Sequence, residues 1–198
     1  MSDPDPTARA AENQFLKEGV GLYLDALTAL VEFRRKVYAK CKSVLEQRLE
    51  AYSEALGPEV RLDSQRIAIW TDEGDSFNGT GTNYGIRLVS GLSAGVWGDH
   101  RFGLGWEKQK DGTLWFGTTV ALWVNLEIAY RQLLNKFTSL GPKEPFKLFD
   151  GRRWLWFYTT LAEADMAELE TKLDETLVGW IDLWKQSRGA NAIFAGLK

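Results

Sequence analysis

The stretch from Ser93 to Val124 constrains the fold more than any other part of this chain. Two runs rich in β-branched and aromatic residues flank the segment KQKDG, in which Asp111-Gly112 is a typical hairpin turn. We therefore predict two long antiparallel strands, and we set their register by placing Glu107 opposite Thr113. Because successive side chains of a strand point to opposite faces, this register assigns every residue of the hairpin to one of two faces.

One predicted face is apolar and should line the core. Its apolar members come from both strands: Val96, Phe102, Leu104, Trp106, Leu114, Phe116, Val120 and Leu122. His100, the only histidine of the chain, lies on the same face. We interpret His100 as a buried structural residue, because a ring that faces the core is withdrawn from solvent and substrate.

The opposite predicted face combines glycines with tryptophans. In the predicted register Gly103 lies across from Gly117, and Gly105 lies across from Trp115. Glycine inside a strand indicates a bend, a bulge or the close approach of another group. Either a helix or the Trp115 side chain covers these glycines, or they form the floor of a trough for a planar ligand or a partner's backbone. The candidate ligand or partner surface consists of Trp97, Asp99, Arg101, Gly103, Gly105, Trp115, Gly117 and Trp123.

Two long segments have helical spacing, residues 8–56 and 161–188. At 1.5 Å per residue, the roughly 35 residues after Gly21 form a helix of about 52 Å. A globule of this size has a radius of gyration of only about 16 Å. The first helix should therefore protrude, bend or lie along the second. Gly19 and Gly21 are expected to break or bend it, and a capping box from Thr160 to Glu163 should open the C-terminal helix.

Together these elements predict an α+β fold. We expect a mostly antiparallel sheet of about six strands, flanked by a long N-terminal helix, a short helix near residues 125–137 and a long C-terminal helix. The other strands are residues 61–70, with Ile67 and Ile69 pointing inward, residues 84–91, and a second hairpin around Asp150-Gly151. We predict a disordered tail over residues 1–7 and a single domain over residues 8–198, with its sheet region at 62–160.

Composition excludes several classes of protein. A net charge of −3 argues against general nucleic-acid binding. One cysteine, Cys41, and one histidine rule out an internal disulfide and a metal site rich in these residues. The sequence has no apolar run of about 18 residues and no signal-peptide core. We predict a cytoplasmic protein that binds no membrane, no metal and no cofactor.

The best candidates for catalysis are Asp99, His100, Arg101 and Glu107. Asp99 and His100 are adjacent on a strand, so their side chains point to opposite faces and cannot act together. Asp99 and Glu107 are similar to the carboxylates of a metal nuclease. Such a site needs a lysine two residues after the second acid, where this chain has Gln109. An enzyme that acts on phosphate esters or nucleic acid is therefore our second alternative.

The function that we expect is a non-enzymatic protein-interaction module that self-associates through its long helices, as a homodimer, or that binds another protein. The alternative is a small-ligand or nucleotide-binding domain that uses the tryptophan-walled glycine floor. Arginine beside tryptophan is the common composition of interface hot spots. A secondary basic surface consists of Arg35, Lys36, Lys40, Lys42, Arg152 and Arg153.

Overall fold

A computed structural model describes residues 6–57, 60–62, 67–72, 81–92, 97–108, 114–151 and 153–188. In these ranges the elements follow the order α1 Pro6–Leu56, β1 Val60–Leu62, β2 Ala68–Asp72, β3 Gly81–Leu92, β4 Trp97–Lys108, β5 Leu114–Val124, α2 Glu127–Leu140, β6 Lys147–Gly151, β7 Trp154–Thr160, a 3-10 helix Glu163–Glu168 and α3 Leu169–Arg188. The predicted α+β class is confirmed. Internal contacts divide the chain into a first unit, residues 1–36, and a second unit, residues 37–198.

The strands form one antiparallel sheet in the order β1-β3-β4-β5-β7-β6, and β2 also pairs with β3. β1 pairs with the end of β3 and β2 with its middle, so the predicted strand over 61–70 consists of two strands. Ile69 of β2 lies opposite the buried Ile86 but is 65% exposed, so the prediction that it points into the core is wrong. Its exposure follows from its place at the edge of the sheet.

The central hairpin is present, but its register differs from the prediction by two residues. Gly103 pairs with Thr119, Gly105 with Gly117, and Glu107 with Trp115. The described pairing runs from Gly98 with Val124 to Lys108 with Leu114, and the predicted Asp111-Gly112 turn lies outside the described residues. Because faces alternate with a period of two, a shift of two residues leaves every predicted face assignment intact.

The core lies on the His100 face of the sheet, where α1, α2 and α3 pack. An aromatic cluster joins these layers: the ring of Phe137 in α2 lies 5.3 Å from Trp180 and 5.1 Å from Trp184 of α3, centroid to centroid. Phe157 of β7 lies 5.6 Å from Trp180. All four side chains are buried, so the cluster anchors two helices to the sheet.

The second half of α1 packs along α3, as predicted. Arg48 donates two hydrogen bonds of 2.7 Å to the carboxylate of Asp174. One turn earlier in α3, Glu170 accepts hydrogen bonds from Lys40 at 3.2 Å and from Ser43 at 3.1 Å. The two helices are therefore joined by polar contacts at the margin of their apolar interface.

Two predictions about helix boundaries are wrong. α1 runs without interruption through Gly19 and Gly21, because a glycine lowers helix stability without forbidding helical backbone angles. Thr160 ends strand β7 instead of capping a helix. At the start of the 3-10 helix before α3, the carboxylate of Asp165 accepts a hydrogen bond of 2.7 Å from the backbone N–H of Ala162. Among the described helices, none combines the length and apolar character needed to cross a lipid bilayer.

Candidate functional site

The predicted glycines do lie on one face of the sheet, across three adjacent strands. Gly85 of β3 pairs with Gly103 of β4, and Gly105 pairs with Gly117 of β5. We call these four residues the glycine face. A Cβ atom added to Gly85 would lie 2.7 Å from the Cα atom of Gly103, too close for any side chain. Within the second unit, the described helices pack on the His100 face, so none of them provides the predicted helical cover of the glycines.

The tryptophans predicted as walls of a single trough are too far apart to enclose one small ligand. Trp115 and Trp123 are eight residues apart on β5, roughly 26 Å at the rise of a strand. Trp97 lies near the Trp123 end, because its neighbour Gly98 pairs with Val124. The side chains of Trp97 and Trp115 lie outside the described part of the structure. The Trp123 end is where the described side chains form a site.

Asp99 sits between two arginines at this end of the sheet. Its Oδ1 accepts a hydrogen bond of 2.8 Å from Arg87, and its Oδ2 lies 3.5 Å from Nη2 of Arg101. Arg87 and Arg101 are directly opposite each other on β3 and β4. The Asp99 residue is only 4% exposed, so a nearly buried carboxylate balances two neighbouring positive charges.

Arg101 also stacks on an aromatic ring. Its guanidinium lies 4.2 Å from the ring centroid of Trp154 in β7. Trp154 in turn pairs with Trp123 across β5 and β7, and Trp123 pairs with Asp99. The structure thus brings together three residues of the predicted surface, Asp99, Arg101 and Trp123, and adds Trp154, which the prediction did not include.

A cleft of about 510 Å³ opens beside Trp123. This volume lies within the range of small-ligand sites, which is roughly 300–1,000 Å³. The lining residues are Trp123, Glu127, Tyr130, Arg131, Asp150 and Arg153. Of these, only Trp123 and Arg153 were predicted. The others were missed because they come from α2 and β6, which the sequence does not place beside β5.

Arg153 is held at the mouth of the cleft by several contacts. Its backbone is left-handed, with φ of 72°, which is uncommon for a residue other than glycine. Its Nη1 donates a hydrogen bond of 2.8 Å to the carbonyl oxygen of Asn125, and its guanidinium lies 5.9 Å from the Trp123 ring. Glu127 is shared, with 3.5 Å to Nε of Arg153 and 2.8 Å to Nη2 of Arg131. An anionic ligand would therefore compete with Glu127 for two arginines.

Tyr130 closes the inner side of the cleft. Its hydroxyl donates a hydrogen bond to the carboxylate of Asp150. Burial raises the pKa of Tyr130, and the Asp150 carboxylate and the charge of Glu127 raise it further. Tyr130 is therefore a protonated hydrogen-bond donor at neutral pH and not a base.

His100 is enclosed in the core, on the face of the sheet where the helices pack. It is 2% exposed, and its Nδ1 lies 2.7 Å from the hydroxyl of Tyr52, which also accepts a hydrogen bond of 2.9 Å from Nε1 of Trp180. Burial lowers the pKa of His100 to about 3. The ring is neutral at physiological pH and shares a hydrogen bond with the Tyr52 hydroxyl, which fits its predicted structural role.

The arrangement needed for a metal nuclease is not present. Asp99 and Glu107 are eight residues apart on β4, so their Cα atoms are separated by roughly 26 Å and the two carboxylates cannot share one ion. Within the described ranges, no group of three or more His, Cys, Asp or Glu side chains is arranged to hold a metal ion. The phosphoesterase alternative has no geometric support.

The predicted basic surface is partly neutralised. Lys40 lies 3.2 Å from the carboxylate of Glu170, and Lys42 lies 3.7 Å from that of Glu46. The remaining members are Arg35 and Lys36, which are exposed, Arg153, which lines the cleft, and Arg152, which lies outside the described residues. Two of the four cations on α1 thus already have carboxylate partners.

The first unit carries a surface that the sequence analysis missed. Except for Leu30, its large apolar side chains between residues 15 and 31 are 39–75% exposed. We call these residues the apolar belt: Phe15, Leu16, Val20, Leu22, Tyr23, Leu24, Leu27 and Val31. The available signal was that apolar residues occupy most sides of the helix here.

Comparisons of this chain with protein-family models, with characterised proteins and with solved structures found no significant match.

Proposed function

We propose that this chain is a non-enzymatic protein-interaction module that associates with further copies of itself through the apolar belt of α1. One observation carries the proposal. The described part of the first unit, residues 6–36, is a single helix, and its large apolar side chains are exposed. A lone helix cannot bury such side chains against itself, and a helix that is apolar on most sides is normally buried by a partner.

The exposed area matches a stable interface in size. At about 200 Å² for a large side chain, the exposed fractions of the belt correspond to on the order of 900 Å² of surface. Each partner in a standard protein–protein interface contributes about 800 Å². Apolar patches of this extent are rare on monomeric proteins. The belt is therefore large enough to support specific association.

The charges around the belt favour a protein partner over a lipid surface. The remaining side of the helix is a polar stripe formed by Gln14, Glu18, Gly21, Asp25, Thr28 and Glu32. Its three charged members are acidic and one lysine, Lys17, lies at its edge, whereas helices that lie on anionic membranes carry several lysines and arginines on their polar side. A second copy presents an apolar helix of the same kind, and the smallest assembly that it would form is a homodimer.

The test is the mass of the full chain in solution, measured by sedimentation equilibrium across a concentration series. We expect a multiple of 22.4 kDa. Leu24→Glu should shift the equilibrium towards the monomer, because it places a charge inside the belt. Thr28→Glu adds the same charge four residues later, on the polar stripe, and should leave the mass unchanged. A wild-type monomer, or equal dissociation of both variants, would contradict the proposal.

We also propose that the protein works in the reducing cytoplasm. The lone cysteine supports this, because Cys41 is fully buried in the second half of α1 and burial raises the pKa of its thiol. Such a residue acts as a small apolar side chain and gains nothing from an oxidising compartment.

A second candidate function is binding of a nucleotide or another planar anion in the cleft beside Trp123. The favouring observation is that Trp123 offers a ring for stacking, while Arg131 and Arg153 share a single carboxylate, Glu127. A phosphate group would displace Glu127 and engage both guanidinium groups. The base would lie against Trp123, as aromatic walls commonly hold planar ligands.

Calorimetric titration with a nucleoside monophosphate tests this candidate. We expect binding to the wild type and its loss in Arg153→Asn, since asparagine tolerates the left-handed backbone at this position. Lys143→Asn removes the same charge from an exposed position outside the cleft and should bind like the wild type. Absence of heat with the wild type would rule out this ligand class.

A further inference from the structure

The apolar belt is wider than one neighbouring helix can cover. Most members of the belt, together with the small residues between them, recur every seven residues and so form two rows along the helix. The large seam contains Val20, Leu24, Leu27 and Val31. The small seam contains Phe15, Gly19, Leu22, Ala26 and Ala29. At 100° per residue the two seams face directions about 150° apart, with Leu16, Tyr23 and Leu30 between them.

A pair of helices buries only one seam on each copy. Phe15 and Leu22 on the small seam are 75% and 72% exposed, and Leu24 and Val31 on the large seam are 55% and 62% exposed. In a homodimer one of these pairs would remain in water on both copies. Burial of both seams requires two neighbours for each helix, one on each side.

The polar stripe, by contrast, consists of side chains that are stable in contact with water. The side-chain amide of Gln14 donates a hydrogen bond of 3.0 Å to Glu18, and the hydroxyl of Thr28 donates one of 2.9 Å to the carbonyl oxygen of Leu24. The remaining members, Asp25 and Glu32, are exposed carboxylates. The solvent-facing side of the helix is therefore narrow and well defined.

Gly19 leaves room for a close neighbour on the small seam. A Cβ atom built on Gly19 would meet nothing within 4 Å, and the same is true of Gly21 on the polar stripe. A partner helix could therefore approach the backbone closely at Gly19. Ala26 and Ala29 extend the same shallow row.

We infer that three or more copies assemble into a closed bundle, in which the large seam of one helix packs against the small seam of the next. This inference rests on the proposed self-association. Different surfaces meet at every contact, so the interface is heterologous, and a heterologous interface that closes on itself forms a ring. Large side chains opposite a row in which Gly19, Ala26 and Ala29 leave gaps beside Phe15 and Leu22 give the interdigitation that tight helix packing requires.

A matched pair of glycine variants tests the seam assignment in the full chain. Gly19→Gln and Gly21→Gln make the same change in helix propensity, and both positions have open space around them. Gly19 lies on the small seam, whereas Gly21 lies on the polar stripe. We expect Gly19→Gln to raise the dissociation constant of the assembly by about tenfold or more, because overfilling a packed interface by one side chain costs this much. Gly21→Gln should assemble like the wild type.

Sedimentation equilibrium separates the possible outcomes. A wild-type mass of three or more times 22.4 kDa, with the expected difference between the glycine variants, supports the inference. A dimer overturns the bundle while the proposed self-association stands, and a monomer overturns both. An equal response of the two glycine variants overturns the seam assignment. Circular dichroism checks that the variants are folded, and Ala26→Gln provides a second probe of the small seam.

Discussion

Arg48 and Asp174 form a bidentate ion pair in which Nε and Nη2 of the arginine each lie 2.7 Å from a carboxylate oxygen. The pair joins the second half of α1 to α3, and its side chains are 42% and 31% exposed. The hydrogen bonds to Asp174 raise the pKa of Arg48. The fork-to-carboxylate geometry fixes the relative positions of the two helices more narrowly than apolar packing alone would do.

We expect a double-mutant cycle on Arg48→Ala and Asp174→Ala to give a coupling free energy of about 1 kcal/mol, the upper end of the range for solvent-exposed pairs, because the geometry is bidentate. Urea denaturation of the four proteins measures it. Lys172 and Glu175, 3.1 Å apart within α3, form a matched control that bridges no elements and should couple less strongly. Equal coupling in both pairs would show that the bridge between helices adds nothing.

The buried His100 should make stability depend on pH in the acid range. Its pKa falls from 6.5 to about 3 on folding. Between these two pH values the unfolded chain binds a proton at His100 and the folded chain does not. Stability is therefore full above pH 6.5 and is lost as the pH falls towards 3, by about 1.4 kcal/mol per pH unit from this residue.

Comparison of the wild type with His100→Gln isolates this effect, because carboxylates titrate in both proteins and cancel in the difference. Glutamine can still accept the hydrogen bond from Tyr52. We expect denaturation midpoints of the wild type to fall more steeply with decreasing pH than those of the variant. If the midpoints of both proteins fall equally with pH, folding does not lower the pKa of His100.

The division of the sheet into a core face and a glycine face followed from the sequence, because a period of two survives any even shift in register. This is why Gly103 and Gly117 share a face although they are not partners. The register itself did not follow, because the sequence offered only the Asp111-Gly112 turn signal to set it, and the described pairing is shifted by two residues from the predicted one.

The cleft could not be predicted from local patterns. Trp123, Glu127 and Asp150 meet there only because β7 pairs with β5 and β6 pairs with β7. This strand order brings the second hairpin alongside α2. Strand order of this kind depends on packing across the whole sheet. The continuity of α1 was missed for a different reason. Gly19 and Gly21 lower the stability of the helix, and we expected them to interrupt it, whereas the long helix tolerates both.

Replacement of Gly85 by alanine should destabilise the protein by about 2 kcal/mol or more, the cost of forcing extra volume into a packed site. The added Cβ would lie 2.7 Å from Gly103 Cα and 2.8 Å from the carbonyl carbon of Phe102, both of which are backbone atoms that cannot rotate away. Gly21→Ala meets no atom within 4 Å and should not destabilise the chain. Thermal unfolding of both variants measures the difference, and equal effects would show that β3 and β4 can separate at little cost.

Removal of the carboxylate of Asp99 should cost about 3 kcal/mol, because it leaves two arginines directly opposite each other on adjacent strands without their shared counter-charge. Arg101 is only 18% exposed in its side chain, so water cannot fully replace Asp99. We expect Asp99→Ala to be strongly destabilising in urea denaturation. The exposed Asp182→Ala should be nearly neutral. Adding Arg87→Met to Asp99→Ala removes the repulsion and should recover part of the loss, whereas a further loss in the double variant would show that charge balance is not what Asp99 provides.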